Sequence, residues 1–168
     1  MRVAAIQFRP PKGDVPAARA ALLAHIDEAA AAGARLIVCP ELATTGYVWR
    51  SATHILPHTE RAHGATFAAL AAAAARHRAW VVCGFAERGD DGGLYNAAMV
   101  VGPDGALVAT YREVLLFELD ETWATPGTAR VSVDVDDRRM APAICMDLND
   151  DRFVDFVQTH GHQVIPFC

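Results

Sequence analysis

The sequence predicts an α/β layered domain with a mixed sheet, on three observations. First, the apolar runs "RLIVCP" (Arg35–Pro40) and "WVVCGF" (Trp80–Phe85) lack polar alternation, as strands buried on both faces do. Second, segments with apolar residues at helical spacing lie between the strand candidates. Third, Leu94–Val101, the turn "GPDG" (Gly102–Gly105) and Ala106–Tyr111 read as a hairpin.

The elements follow in order. "VAAIQF" (Val3–Phe8) is a strand stopped by Pro10 and Pro11. Asp14 is placed to cap a helix from Val15 to Ala32, with Leu22, Ile26, Ala29 and Ala30 on one face and Gly33 as the stop. After the Arg35–Pro40 strand, a second helix over Ala65–His77 groups Phe67, Leu70, Ala71 and Ala74. Val131, Val133 and Val135 alternate with polar residues, as a half-exposed strand should. Met140–Ile144 is the next strand, Phe153–His160 a short helix, and Gln163–Phe167 the last strand.

The 168 residues form a single domain, 1–168, long enough to bury roughly 70% of its unfolded surface. The alanine-rich tracts are broken by Arg, His, Glu or Gly, so none is long enough to cross a bilayer. Met1 leads directly into "RVAAIQF", without a signal-peptide core, and a cytoplasmic location is expected. A net charge of −5 with interspersed signs and no basic stripe argues against nucleic acid as a partner. Cys39, Cys83, Cys145 and Cys168 lie far apart and read as separate thiols. Of 15 basic side chains, only Lys12 is a lysine. The chain stops at Cys168 directly after an apolar strand, which predicts missing sequence or a partner over that edge.

Chemistry in α/β sheets gathers at strand ends, where exposed loops are held by rigid strands. Cys145 ends "MAPAI", and from that segment alone a buried small hydrophobe is the leading reading, with a nucleophile as the alternative. Glu41 directly follows "LIVCP", where a solvated or helix-capping carboxylate competes with a base. Glu113 and Glu121 bracket an apolar "VLLF" segment, where simple surface charge is the plain alternative. A cysteine beside a carboxylate base can attack a carbonyl or nitrile carbon if donors stabilise the oxyanion. Spacing alone does not bring these groups together. His54 and His58 are separated by Pro57, and His160, His162 and Cys168 make a weak ligand set, so no metal is expected. No GxGxxG, Walker loop or GxSxG occurs.

Taken in order, "VAAIQF", "LIVCPELATTGY", "YNAAMVVGPDGALVATYRE", "DETWATPG" and "ICMDLN" resemble the nitrilase, or carbon–nitrogen hydrolase, superfamily from the first strand to the last residue. "TGYVW", "DETWA" and "ICMDLN" are together more similar to the branch of the protein N-terminal amidases than to the aliphatic nitrilases. The resemblance implies an α-β-β-α sandwich with mixed sheets, incomplete here at the C-terminus, and assembly into homodimers or larger oligomers. It implies hydrolysis of a small-molecule or peptide amide through a cysteine thioester, with neither metal nor organic cofactor.

Carried over by residue, Glu41 matches the general base, Cys145 the nucleophile and Glu121 a second, positioning glutamate. Tyr47 would line the pocket, and the Met146 N–H would point into the oxyanion hole. Two departures stand out. The family's triad lysine follows "YR", where this chain has Glu113, and family domains are substantially longer than this chain. Impaired hydrolysis is therefore expected. The competing functions are a catalytically silent relative that binds or assembles, and a structural domain with coincidental motifs.

Overall fold

Five strands form the central sheet of the computed structural model, which describes residues 1–168. They are β1 (Val3–Ala5), β2 (Leu36–Val38), β3 (Trp80–Arg88), β4 (Leu94–Val101) and β5 (Leu107–Arg112), hydrogen-bonded in that order. β1, β2 and β3 run parallel, whereas β3–β4 and β4–β5 are antiparallel, so the sheet is mixed as expected. The parallel pairs need crossovers, and helices α1 (Val15–Ala31) and α3 (Ala65–His77) supply them. A short helix α2 (Ala52–Ile55) and a 3-10 turn Leu56–His58 fill the long loop after β2, with Pro57 at the start of the turn.

Helix α1 forms where its sequence directs. Asp14 accepts a hydrogen bond from the Ala17 N–H at 3.1 Å, and Gly33 at φ 90° ends the run. Ala18, Leu22, Ile26 and Ala30 recur every fourth residue and are its buried stripe. They pack with Leu70, Ala73 and Ala74 of α3 against Ile37, Val81, Cys83, Phe85, Ala97 and Met99 on one sheet face.

The opposite face carries Leu36, Val82, Ala98, Val100 and Tyr111, covered by β6 (Val133–Val135) and β7 (Arg138–Met140). Helix α4 (Asp151–Thr159) then places Phe153 beneath Ala141 and Ala143. The layers are therefore helix, sheet, sheet, helix. Burial on both faces explains why β2, β3 and β4 read as continuous apolar runs.

Several bounds differ from expectation for physical reasons. The strand expected over Val3–Phe8 keeps ladder geometry only to Ala5, with one further bond from Ile6 N–H to Val38 O at 2.8 Å. The Met140–Ile144 and Gln163–Phe167 strands reduce to bridges at Met140–Val164 and Ala143–Phe167. Pro166 has no N–H to return to Ala141 O and so interrupts the ladder, whereas the nitrogen of Pro142 points away from it. The two segments still align in parallel: Ala141, Ala143 and Cys145 donate to Val164, Pro166 and Cys168 carbonyls at 3.1–3.2 Å. No helix is long and apolar enough to cross a membrane.

Candidate active site

Three separate loops deliver the candidate groups, two of them following β2 and β5. Glu41 follows β2 through Pro40, and Leu42 beside it adopts φ 44°, a left-handed conformation that bends the chain sharply. The loop lies directly on β3. A Cβ at Gly84 would sit 2.5 Å from Pro40 O and 2.7 Å from Glu41 Cα, so only glycine permits the approach.

Glu113 is the first residue past β5, fixed by its N–H to Asn96 O at 2.9 Å and by the Gly127 N–H to its own carbonyl at 2.7 Å. Cys145 opens the 3-10 helix Cys145–Asn149 at φ 40°, in the left-handed region that non-glycine residues seldom occupy.

These loops converge. One carboxylate oxygen each of Glu41 and Glu113 and the sulfur of Cys145 all lie within 4.8 Å of one another. Asn96 links the two acids, its Nδ2 donating to Glu41 Oε1 at 2.6 Å and to Glu113 Oε2 at 2.8 Å. The Met146 N–H donates to Glu113 Oε1 at 3.2 Å. The donor expected in the oxyanion hole is thus taken by a carboxyl oxygen of the same chain.

Tyr47 donates to Asp120 Oδ2 at 2.9 Å, and its hydroxyl pKa is raised by burial and by the charge of Glu41 beside it. Glu121 is not brought in. It is solvent-exposed, and its buried neighbour Asp120 takes the inward place, held also by Trp123 Nε1 at 2.9 Å. A 3-10 turn over Asp120–Thr122 decides which of the two adjacent acids faces the site, and a sequence does not display that rotation.

Asp147 is a further functional position, inside "ICMDLN" but not singled out by the motif reading. Fully buried, it accepts from the Ile144 N–H at 3.0 Å, Tyr111 Oη at 2.7 Å, and the Val114 and Leu115 N–H groups at 3.1 and 3.3 Å. Arg130 approaches it at 3.6 Å. Asp147 therefore ties the turn that carries Cys145 to the chain leaving Glu113.

The electrostatics follow from burial among acids. Burial, then the charges of Glu41 and Asp147, push the Glu113 carboxyl up to about 9, so at neutral pH it holds its proton. Burial raises Glu41 to about 7 against the opposing Asn96 hydrogen bond. Burial and the charges of Glu41 and Glu113 push the Cys145 thiol up to about 12.

No cation relieves the cluster. Arg112 turns to the other side of the strand, paired with Glu87 at 2.6 and 2.9 Å and stacked 3.6 Å from the Tyr95 ring. Lys12 sits 4.7 Å from the Trp49 ring, on another loop. Two surface clefts of about 490 and 340 Å³ are lined by residues such as Asp134 and His160, or Arg61 and Asp90, and leave out Cys145.

Residues 2–167 match the family described as carbon-nitrogen hydrolase. The chain belongs to that family. It is 29% identical over 160 residues to the protein N-terminal amidase of Schizosaccharomyces pombe, covering 89% of this chain and 56% of that protein. It is also 29% identical over 147 residues to the omega-amidase of Homo sapiens, covering 82% and 51%.

Among solved structures, a crystal structure of N-terminal amidase superposes with a TM-score of 0.85 at 22% identity, over 99% of this chain and 47% of that one. An amidase from Nesterenkonia sp. does so at 0.82 and 21%, over 99% and 64%. At these identities the superpositions speak for the fold, which is the nitrilase-like one that the motif order implied. The chain spans about half the length of the curated relatives it matches.

Proposed function

We propose that this chain carries the reaction centre of an amidase-type carbon–nitrogen hydrolase, with turnover held low by Glu113. The observation that carries the reading is the convergence of Cys145, Glu41 and Glu113 within 4.8 Å. Glu41 takes the thiol proton and Cys145 attacks the amide carbonyl carbon, forming a tetrahedral oxyanion. Collapse expels the amine, which receives the proton from Glu41. Water activated by the same carboxylate then hydrolyses the thioester and restores the thiol. A Glu41 pKa near 7 suits a group that must accept and return a proton at neutral pH.

Position 113 supports the impairment. The family lysine would offer the oxyanion a positive donor; Glu113 offers a carboxyl and engages the Met146 N–H itself. That same contact favours the second reading, a silent relative that binds without turning over. Similarity to protein N-terminal amidases, one of them solved with an Asn-Glu peptide, makes an N-terminal side-chain amide the first substrate class to try.

The test is ammonia release from peptides with N-terminal Asn or Gln. Slow release that Cys145→Ala abolishes supports the hydrolase. Brisk release that survives Cys145→Ala removes the mechanism, and complete silence of the wild type leaves the binding reading.

A further inference from the structure

We propose that Glu41, Glu113 and Cys145 form a binding site for a divalent cation of the zinc type. The inference goes beyond hydrolysis and does not depend on it. With its histidines scattered, no metal was expected from the sequence. What creates the site is a carboxylate at residue 113, which turns a pair of candidate ligands into three.

The donor set selects the ion class. Two carboxylate oxygens and a thiol sulfur lie within 4.8 Å of one another, on three different loops that rigid strands hold in place. Metal–oxygen distances of about 2.1 Å and a metal–sulfur distance of about 2.3 Å require these atoms to move inward by roughly 1 Å. Magnesium and calcium take oxygen ligands throughout, whereas a mixed oxygen–sulfur set suits zinc or cobalt. Three protein ligands also leave a fourth position open. Glu41 and Cys145 are only part-buried, so an ion can reach them from solvent.

A second observation points to a ligand independently of the cluster. Asn96 is buried at 1% exposure, and its Oδ1 has no hydrogen-bond partner. That oxygen belongs to the amide whose Nδ2 already touches both carboxylates. An orphaned buried carbonyl costs free energy, and this one stands on an amide in contact with two of the three proposed ligands. The charge balance points the same way. Asp120 and Asp147 add negative charge around Glu41 and Glu113, while Arg130 pairs with Asp147 and Asp150 and reaches neither glutamate. On binding, the thiol proton and the carboxyl protons leave to solvent, and the thiolate becomes a ligand. A bound cation and a free Cys145 nucleophile therefore exclude each other.

The experiment titrates the metal-free chain with Co²⁺ and then Zn²⁺, reading the thiolate-to-cobalt charge-transfer absorption and the calorimetric stoichiometry. Wild type should take up one Co²⁺ with that absorption and exchange it for Zn²⁺. Cys145→Ser should lose the absorption, and Glu113→Lys should bind at least about tenfold more weakly. Asn96→Ala should lose about 10- to 100-fold in affinity, as loss of a supporting group around a metal does. Circular dichroism and the melting temperature of each variant distinguish a lost site from a lost fold. Absence of saturable uptake by wild type overturns the proposal. So does an absorption that persists in Cys145→Ser, which would assign the metal to another cysteine. Ammonia release is read separately, so a silent hydrolase that binds zinc, or an active one that does not, separates the two proposals.

Discussion

At residue 113 a fully buried carboxyl faces Glu41 and Cys145 and accepts hydrogen bonds from Asn96 and the Met146 N–H. Its effect on the thiol can be measured directly. Because burial and then the two acids push the Cys145 thiol up to about 12, iodoacetamide should label it slowly at neutral pH and faster as the pH rises. In Glu113→Lys the ammonium favours the thiolate, so labelling at neutral pH should accelerate by at least about tenfold, one unit of pKa. An unchanged rate would separate residue 113 from the thiol.

Stability should follow the same carboxyl. Between its ordinary value of 4.5 and about 9, the folded chain keeps a proton that the unfolded chain has released. Stability therefore falls as pH rises through that window. Glu41 acts with the same sign up to about 7. Glu113→Gln cannot ionise, so its melting temperature should vary less between pH 5 and 9 than that of wild type. A steeper dependence in the variant would contradict the assignment.

Among the elements, the turn that carries Cys145 depends on one side chain outside the triad. Asp147→Ala leaves the Ile144, Val114 and Leu115 N–H groups and the Tyr111 hydroxyl without their acceptor, and Arg130 without one of its two carboxylates. Removing one partner from a buried charged network costs about 3–5 kcal/mol, and denaturant unfolding should show a loss of that size. Asp14→Ala, which removes only the cap of α1, should cost about 1 kcal/mol in the same measurement.

Both residues show what a sequence displays. Asp14 was legible because a cap precedes a helical period, a local relation. Asp147 was not, because Tyr111, Val114 and Leu115 lie 32 to 36 residues away and meet it only through the fold. Glu121 and Asp120 differ by one position in a 3-10 turn, so the motif named the exposed acid while the buried one faces the site. The ladder loss at Pro166 is local, and its missing N–H could have been read in advance.

Across the whole molecule, one sheet separates two cores. Ile37, Val81, Phe85 and Met99 pack on the helices, while Leu36, Val82, Val100 and Tyr111 pack on the second layer. Alternate residues of the same strands serve opposite cores, so neither can dissolve while the other keeps its sheet. Unfolding followed by far-ultraviolet circular dichroism and by tryptophan fluorescence should therefore give coincident transitions. Two separated transitions would show that the second layer unfolds independently. Fold class and the succession of strands and helices were legible because burial on both faces leaves unbroken apolar runs. Convergence of the site was not, since residues 41, 113 and 145 come from three loops that only the sheet order brings together.

The proposed function places Glu113 where the oxyanion needs a donor, and turnover tests that most directly. The decisive quantity is the rate of ammonia release from an N-terminal Asn peptide by Glu113→Lys relative to wild type, with metal removed. Restoring one oxyanion donor should raise it by roughly 100- to 1,000-fold, with Cys145→Ala silent in both backgrounds. A correctly folded Glu113→Lys chain that is no faster than wild type would contradict the assignment.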